Sequence, residues 1–290
     1  MMIKSLLMGF LIFILILACN GSDVTRPADL NDYDAIYHIV SIDRVSEFNM
    51  DLLDFSIPDT MSSMLTQLQL EHYWFNLTYD SLDLPIDIEY PDAQDSLGAL
   101  PEAEVRKIKF FFGTLEIIGV DTAGGGQEPV RFSTEFTIRG EISAEFKKYG
   151  SDYNYRRGWL LTAISDIVYT SAYPQGITQI SINSDSYPDL ILSTGLKSLN
   201  DVLVFDPGES VTVTVNGGNL DDIFRIRYLE GSVLQTAIME PDSSGDIITE
   251  FQMPETQQPG YFLVEVIGET SFQEDGPFRY KAVGVLFKVE

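Results

Sequence analysis

The chain has 290 residues, with 44 acidic side chains against 18 basic ones, a formal net charge of −26, two histidines and one cysteine. That charge repels phosphate backbones and argues against nucleic acid as a partner, and a lone cysteine leaves neither an internal disulfide nor a thiolate metal cluster. A hydrophobic content of 44%, with 12% aromatic residues, excludes a disordered chain and supplies core for one large or two ordinary domains.

Residues 1–18 read as a signal peptide. Lys4 precedes thirteen uncharged, mostly apolar residues from Leu6 to Ala18, short of the ~20 that a membrane span takes. The string Ile16-Leu17-Ala18-Cys19 resembles the lipobox of bacterial lipoproteins. The resemblance implies that Cys19 is the lipidation site, carries acyl chains such as palmitate and becomes the new N-terminus. Membrane lipid is then a partner through acylated Cys19, and residues 19–28 are a short polar tether. Two or three acyl chains, at ~0.8 kcal/mol per buried methylene, anchor a protein stably where one does not. The expected location is the bacterial cell envelope. Asn20, standing where an aspartate would favour retention at the inner membrane, points to the outer membrane, its periplasmic and surface faces both open.

After the tether, Asp29, Asn31 or Asp32 can cap a helix in which Tyr33, Ile36, Tyr37 and Val40 recur at helical spacing, to about Asn49. A short apolar piece, Leu52–Ile57, is closed by Pro58-Asp59-Thr60. Met61, Met64, Leu65, Leu68 and His72 then predict a second helix ending near Phe75. Beyond it the period falls to two. Leu82–Tyr90 and Val105–Val120 read as strands, with Phe110-Phe111-Phe112 before Gly113 suggesting a bulge. Val130–Phe146 alternates apolar even positions with polar odd ones throughout, the pattern of a half-buried antiparallel strand. Its length demands a bend, for which Gly140 is the natural place. A polar loop, Lys147–Arg157, leads to a further strand over Trp159–Tyr169.

Helices first and long bent strands after is an α+β order. Residues 29–170 resemble the nuclear-transport-factor-2-like superfamily, the polyketide-cyclase-like or cystatin-like cone. The likeness lies in the N-terminal helix, Asp54-Phe55-Ser56-Ile57, a second helix holding Glu71 and Phe75, three long strands and Gly158-Trp159-Leu160-Leu161. It implies a curved antiparallel sheet folded round helices, with a cavity. Residues 171–198 turn to Ser, Pro, Gly, Asn and Asp and read as a linker or edge strand. Residues 199–290 carry short alternating strands at sandwich spacing: Val202–Phe205, Val211–Val215, Phe224–Tyr228, Ile247–Met253, Tyr261–Ile267 and Ala282–Val289. With Gly208-x-x-Val211-x-Val213-x-Val215-x-Gly217-x-Asn219-Leu220, Met253-Pro254 and Pro259-Gly260-Tyr261, this stretch resembles the immunoglobulin-like modules of the TIG family. The expected fold is thus an α+β cone followed by an all-β immunoglobulin-like sandwich.

Chemistry is sparse. The chain has no Gly-x-Ser-x-Gly elbow, phosphate loop or dinucleotide fingerprint, and Gly124-Gly125-Gly126 falls between strands as a hairpin tip. No cofactor is implied. His72 is the candidate catalytic acid or base, because imidazole titrates near neutral pH and cone enzymes use such groups; a lone histidine on an apolar stripe is by default a hydrogen-bonded core residue. His38 is the other histidine. Asn183, Asp185 and Asp189 place alternate oxygen donors that could wrap calcium, without the glycine and distal glutamate of an EF-hand loop. Asp80, Asp83, Asp87, Glu89, Asp92 and Asp95 read as a solvated acidic face. Tyr149, Tyr153, Tyr155, Arg157 and Trp159, with Arg156, are the candidate ligand-binding set, since aromatic faces stack on sugars or apolar ligands and arginines fix carboxylates. The expected function is a non-enzymatic, lipid-anchored module binding a small molecule, a glycan or an envelope protein. The alternatives are an acid–base isomerase, dehydratase or hydrolase of the cone superfamily, or a surface glycan-binding protein.

Overall fold

The computed structural model describes residues 29–51, 59–65, 68–77, 82–91, 99–121, 128–174, 176–219, 221–230, 233–255 and 259–290. The expected signal peptide and tether, with Cys19, and the segment Leu52–Ile57 lie outside them.

Helix α1 (Asp32–His38) is capped by Asn31, whose side chain accepts from the Asp34 N–H at 2.8 Å. It passes into a π turn over Ile39–Asp43 and stops well short of Asn49. Three β-branched residues, Ile39, Val40 and Ile42, crowd that turn and weaken helix propagation. The second expected helix is not there. Its residues form two antiparallel strands, β1 (Asp59–Leu65) and β2 (Leu68–Leu77). Between Leu70 and His72 the register against the next strand slips, leaving Glu71 as a bulge. A bulge inverts the alternation, so the apolar residues on either side of it do not share one period of two. A second shift, between Thr60 and Ser63, breaks the period at the other end, so Met61, Met64, Leu65, Leu68 and His72 imitate a helical stripe.

The short strands β3 (Leu82–Asp83) and β4 (Asp87–Glu89) edge the first half of β5 (Glu102–Asp121). β5 pairs with β6 (Glu128–Lys148) without a break from Glu102↔Lys147 to Asp121↔Glu128. The bulge expected at Phe110–Phe112 is therefore absent: plain alternation buries Phe111, while Phe110 and Phe112 stack on the other face with centroids 6.3 Å apart. Two glycines let this long ribbon curl. A Cβ on Gly113 would stand 2.3 Å from the Asn76 carbonyl oxygen, and one on Gly140 would stand 2.9 Å from the Tyr169 ring.

The expected single strand Trp159–Tyr169 is split at Ser165-Asp166 into β7 (Trp159–Ile164) and β8 (Ile167–Ser171). Both pair with β6, at successive stretches of it. Asp166 is fully buried at the corner, where Lys197 Nζ donates to it at 2.7 Å. Burial raises its carboxyl above the ordinary value although Lys197 acts in the opposite sense. Residues 171–198 supply β9 (Gln179–Asn183), β10 (Leu190–Ile191) and β11 (Lys197–Ser198). The remaining strands are β12 (Leu203–Phe205), β13 (Ser210–Asn216), β14 (Ile223–Glu230), β15 (Val233–Ile238), β16 (Glu240–Pro241), β17 (Ile247–Gln252), β18 (Pro259–Ile267) and β19 (Tyr280–Val289).

One sheet runs in the order β1-β2-β5-β6-β8-β19-β18-β14-β15, and a second in the order β10-β9-β13-β17-β16. β19 thus sits between β8 and β18, so the two halves of the chain share a sheet. That middle layer is buried on both faces. Tyr261, Leu263, Ile267, Tyr280 and Ala282 join the first core, while Phe262, Val264, Val266, Val283, Val285 and Phe287 join the second, against β9, β13 and β17. The sheet curls until its early strands meet its late ones: the Tyr73 hydroxyl of β2 lies 3.1 Å from Arg225 Nη1 of β14.

The fold is accordingly not an α+β cone. One short α-helix occurs among the described residues, and the space that helices would occupy is filled by the far end of the same sheet. Tyr73, Phe75, Phe136, Phe272, Phe278 and Tyr280 pack edge-on or stacked inside it. The second half is all-β, compatible with an immunoglobulin-like sandwich.

Within the curl, Glu265 is fully buried and lies 2.7 Å from Arg225 Nε and 2.6 Å from Arg227 Nε, and Tyr280 donates to it at 2.5 Å. Burial alone would raise the Glu265 carboxyl; the two arginines outweigh it and hold it below its ordinary value. Glu265→Gln would leave two buried guanidinium groups without their carboxylate and is expected to cost about 3–5 kcal/mol. The check is the guanidinium chloride midpoint, which should fall with no change in the slope of the transition.

Candidate functional site

Charged, aromatic and apolar side chains converge at the surface on the hairpin between β6 and β7, packed against α1 and the π turn. Its backbone is unusual. Arg156 and Arg157 have φ of 48° and 51°, and Gly158 follows at 78°. Only glycine takes the left-handed region without a Cβ penalty, which for other residues is roughly 1–2 kcal/mol each. Gly158 is there because its Cα passes close to Gly150; a Cβ on it would come within 2.4 Å of the Gly150 Cα. The Tyr149 N–H donates to the Gly158 carbonyl at 2.9 Å, and the Asn154 side chain accepts from the Ser151 N–H at 2.7 Å, closing the loop.

Two arginines in a strained conformation persist only where their surroundings fix them. Arg156 grips the Asp43 carboxylate with Nε at 2.7 Å and Nη2 at 3.0 Å, and reaches Asp29 with Nη1 at 3.0 Å. The Asp29 Oδ1 also lies 2.5 Å from His38 Nδ1, and the Tyr155 hydroxyl donates to Asp43 at 2.9 Å. Arg157 Nε donates to Asp32 at 2.7 Å and its Nη2 lies 2.7 Å from Asp152. Lys148 bridges the same two carboxylates at 2.9 and 2.7 Å. The Asp43 hydrogen bonds push the Arg156 guanidinium further above its already high value. Burial would raise Asp32, yet the hydrogen bonds from Arg157 and Lys148 prevail and lower it; the Lys148 hydrogen bond lowers Asp152.

Beside this network runs an open groove of about 610 Å³ lined by Ile39, Ile42, Asp43, Arg44, Tyr155, Arg156, Trp159, Leu160 and Leu161. The candidate ligand-binding residues divide here. Tyr149 and Tyr155 are more than half exposed and Tyr153 is 99% exposed, whereas Trp159 is buried at the floor. Arg157 is held by Asp32 and Asp152. The groove suits a flat or apolar group stacked on tyrosine. The fixing carboxylates Asp29, Asp32 and Asp43 left no local trace as partners, being read only as helix caps or not at all. The available signal was an arginine pair placed in a chain of strong negative charge.

Elsewhere the candidates separate. His72 lies on β2, opposite Thr60 and Ile118, rather than on a helix. Asn183 Nδ2 donates to Asp189 Oδ1 at 3.2 Å, so two of the calcium candidates bond each other; the turn holding them and Asp185 is fastened by Glu209, which accepts from the Ser186 N–H and hydroxyl, both at 2.7 Å. Among the described residues no group of three or more His, Cys, Asp or Glu side chains could hold a metal ion. In the acidic run, Asp87 pairs with Arg106 at 3.3 Å and Asp83 lies 3.7 Å from Lys109, while Asp80, Asp92 and Asp95 lie outside the described residues. Compared with known proteins, the chain matches no family model, no curated protein and no solved structure.

The hairpin network makes two expectations. Arg156→Ala should cost about 3 kcal/mol, since it removes both guanidinium bonds to Asp43 and leaves Asp29 with His38 alone, and Arg156→Lys should recover only part because a lysine cannot fork onto Asp43. A carboxylate depressed in the folded state contributes stability that is present above its unfolded value of about 3.9 and is lost as pH falls through its folded value. Amide exchange across residues 149–158, corrected for intrinsic rate, should therefore accelerate as pH drops below about 4. In Asp32→Asn it should be faster already at pH 7 and change less over that window.

Proposed function

We propose that the chain is a lipid-anchored protein of the bacterial cell envelope that acts as a non-enzymatic interaction module. The observation that carries the non-enzymatic part is the filled interior. Where a cone protein would hold substrate, six aromatic rings and the Arg225–Glu265–Arg227 cluster take the space. A site for proton transfer needs room for a substrate beside its acid or base, and the described interior offers its polar groups to one another instead. The string Ile16-Leu17-Ala18-Cys19 supports the anchor, and Asn20 supports placing it in the outer membrane. The face-to-face sheets of the second half support reading residues 199–290 as an immunoglobulin-like interaction module of TIG type. The exposed tyrosines beside the groove favour a second reading, a small-molecule or glycan site at Tyr149, Tyr153 and Tyr155.

Anchoring is tested first. Cys19→Ala is expected to lose labelling by tritiated palmitate and to move the protein from the membrane to the soluble fraction of the cell. Unchanged labelling would refute the anchor. A soluble variant that turned over candidate esters or enolisable ketones at rates well above water would refute the non-enzymatic reading.

A further inference from the structure

The face built by α1, the π turn and the hairpin is apolar where it meets solvent. Tyr33 and Tyr37 stand at i and i+4 and share one side of the helix, and Leu30 lies just before its Asn31 cap. All three are exposed, and the two tyrosine rings stack with centroids 6.3 Å apart. Ile42, Tyr155 and Leu160, each more than half exposed, continue the surface round the mouth of the groove, and Tyr153 projects from the hairpin tip. A monomer rarely leaves so much adjoining aromatic and aliphatic surface bare without a use for it.

Three further observations say what covers it. First, the described chain starts at Asp29, one residue before Leu30. The ten residues from Cys19 to Asn20 and on to residue 28 can reach at most ~3.3–3.6 Å apiece, about 35 Å in all, so whatever holds Cys19 lies within that distance of this face. Second, the face is far less acidic than a chain of net −26: Arg44, Lys148, Arg156 and Arg157 stand against Asp29, Asp32, Asp34, Asp43, Glu47 and Asp152. It is therefore not repelled as the bulk of the molecule would be. Third, its exposed rings are mostly tyrosine, which combines an apolar body with a polar tip and settles at the boundary between headgroups and acyl chains.

We propose that this tyrosine-rich face rests on the phospholipid surface beside the protein's own anchor, with Tyr153 entering the headgroup region. The inference depends on the reading of Cys19 as acylated. Since the cations of the face are already matched by aspartates, contact with lipid comes from apolar burial and needs no anionic lipid, which separates it from a polybasic membrane site.

The test uses the full acylated protein in phosphatidylcholine vesicles. Acylation consumes the thiol of the sole cysteine, so Tyr153→Cys introduces one reactive thiol for an environment-sensitive fluorophore. Ser243→Cys, in the exposed turn after β16, is the control. Nitroxide-bearing phosphatidylcholine is expected to quench the label at position 153 at least threefold more than the label at 243. Replacing Tyr33, Tyr37 and Tyr155 together by serine should reduce that quenching towards the control. Neither result should change when anionic lipid is added. If the protein floats with the vesicles but position 153 is quenched no more than 243, the proposal falls and the anchor stands. Shielding of position 153 from aqueous iodide without quenching from lipid would assign the face to residues 20–28, to a second copy or to a bound glycan, and would also overturn it. Failure of the protein to float at all overturns the anchor and the proposal together.

Discussion

Glu265, enclosed between Arg225 and Arg227, is the interaction on which the arrangement of the rest depends. It lies on β18, its arginines on β14, its tyrosine partner Tyr280 on β19, and through Arg225 the group touches Tyr73 on β2. Four strands from both halves of the chain therefore meet at one carboxylate. A buried ion pair adds little net stability over an apolar replacement, because both ions must leave water. What it does here is fix register. The middle layer is buried on both sides, and its other face carries Phe224, Ile226, Val264 and Val266. A slip of one residue in β14 or β18 would drive the charges into that wholly apolar second core, an error far costlier than any loss of packing.

The same constraint explains why a sheet, not helices, fills the curl. β5 and β6 form an uninterrupted ribbon of about twenty pairs, too long to lie flat over a domain, and glycines at 113 and 140 let it bend. Once bent, its concave side demands an apolar surface. β14, β18 and β19 supply one without a crossover helix, because β19 pairs directly with β8 on one edge and β18 on the other. The hydrogen-bond ladder thus closes the core that a cone protein closes with helices.

How much of this could be read in the residues follows from the range of each interaction. The alternation of Val130–Phe146 is a local period, and it became β6; the strands of the second half, Val211–Val215 and Tyr261–Ile267 among them, were legible for the same reason. The segment from Asp59 to Phe75 misled because register shifts at two places, between Thr60 and Ser63 and between Leu70 and His72, break the period of two, and short apolar runs look helical once that happens. Ile177–Ile182 was visible as strand-like, but its place in the second sheet was not, since β9 is sandwiched between β10 and a strand thirty residues on. Least legible were the contacts joining the ends. Arg156 meets Asp43 and Asp29 across 113 and 127 residues of chain, and no local pattern encodes such a pairing. The hairpin tyrosines were found by composition alone, and composition could not tell that Trp159 turns inward while Tyr153 turns out.

The two ends of the molecule are consequently held by different physics. The interior depends mainly on surface removed from water on both sides of one layer, and its charged groups, Glu265 and Asp166, are wholly shielded from solvent. The hairpin and α1 depend on ion pairs, several of them partly exposed, and on two arginines kept in a left-handed conformation by those pairs. Screening and protonation both act on exposed pairs first. Local opening should therefore begin at the face formed by α1 and the hairpin and stop at Trp159, where the buried indole passes the chain into β7. The surface of α1 and the hairpin is the part that can adjust to what it meets.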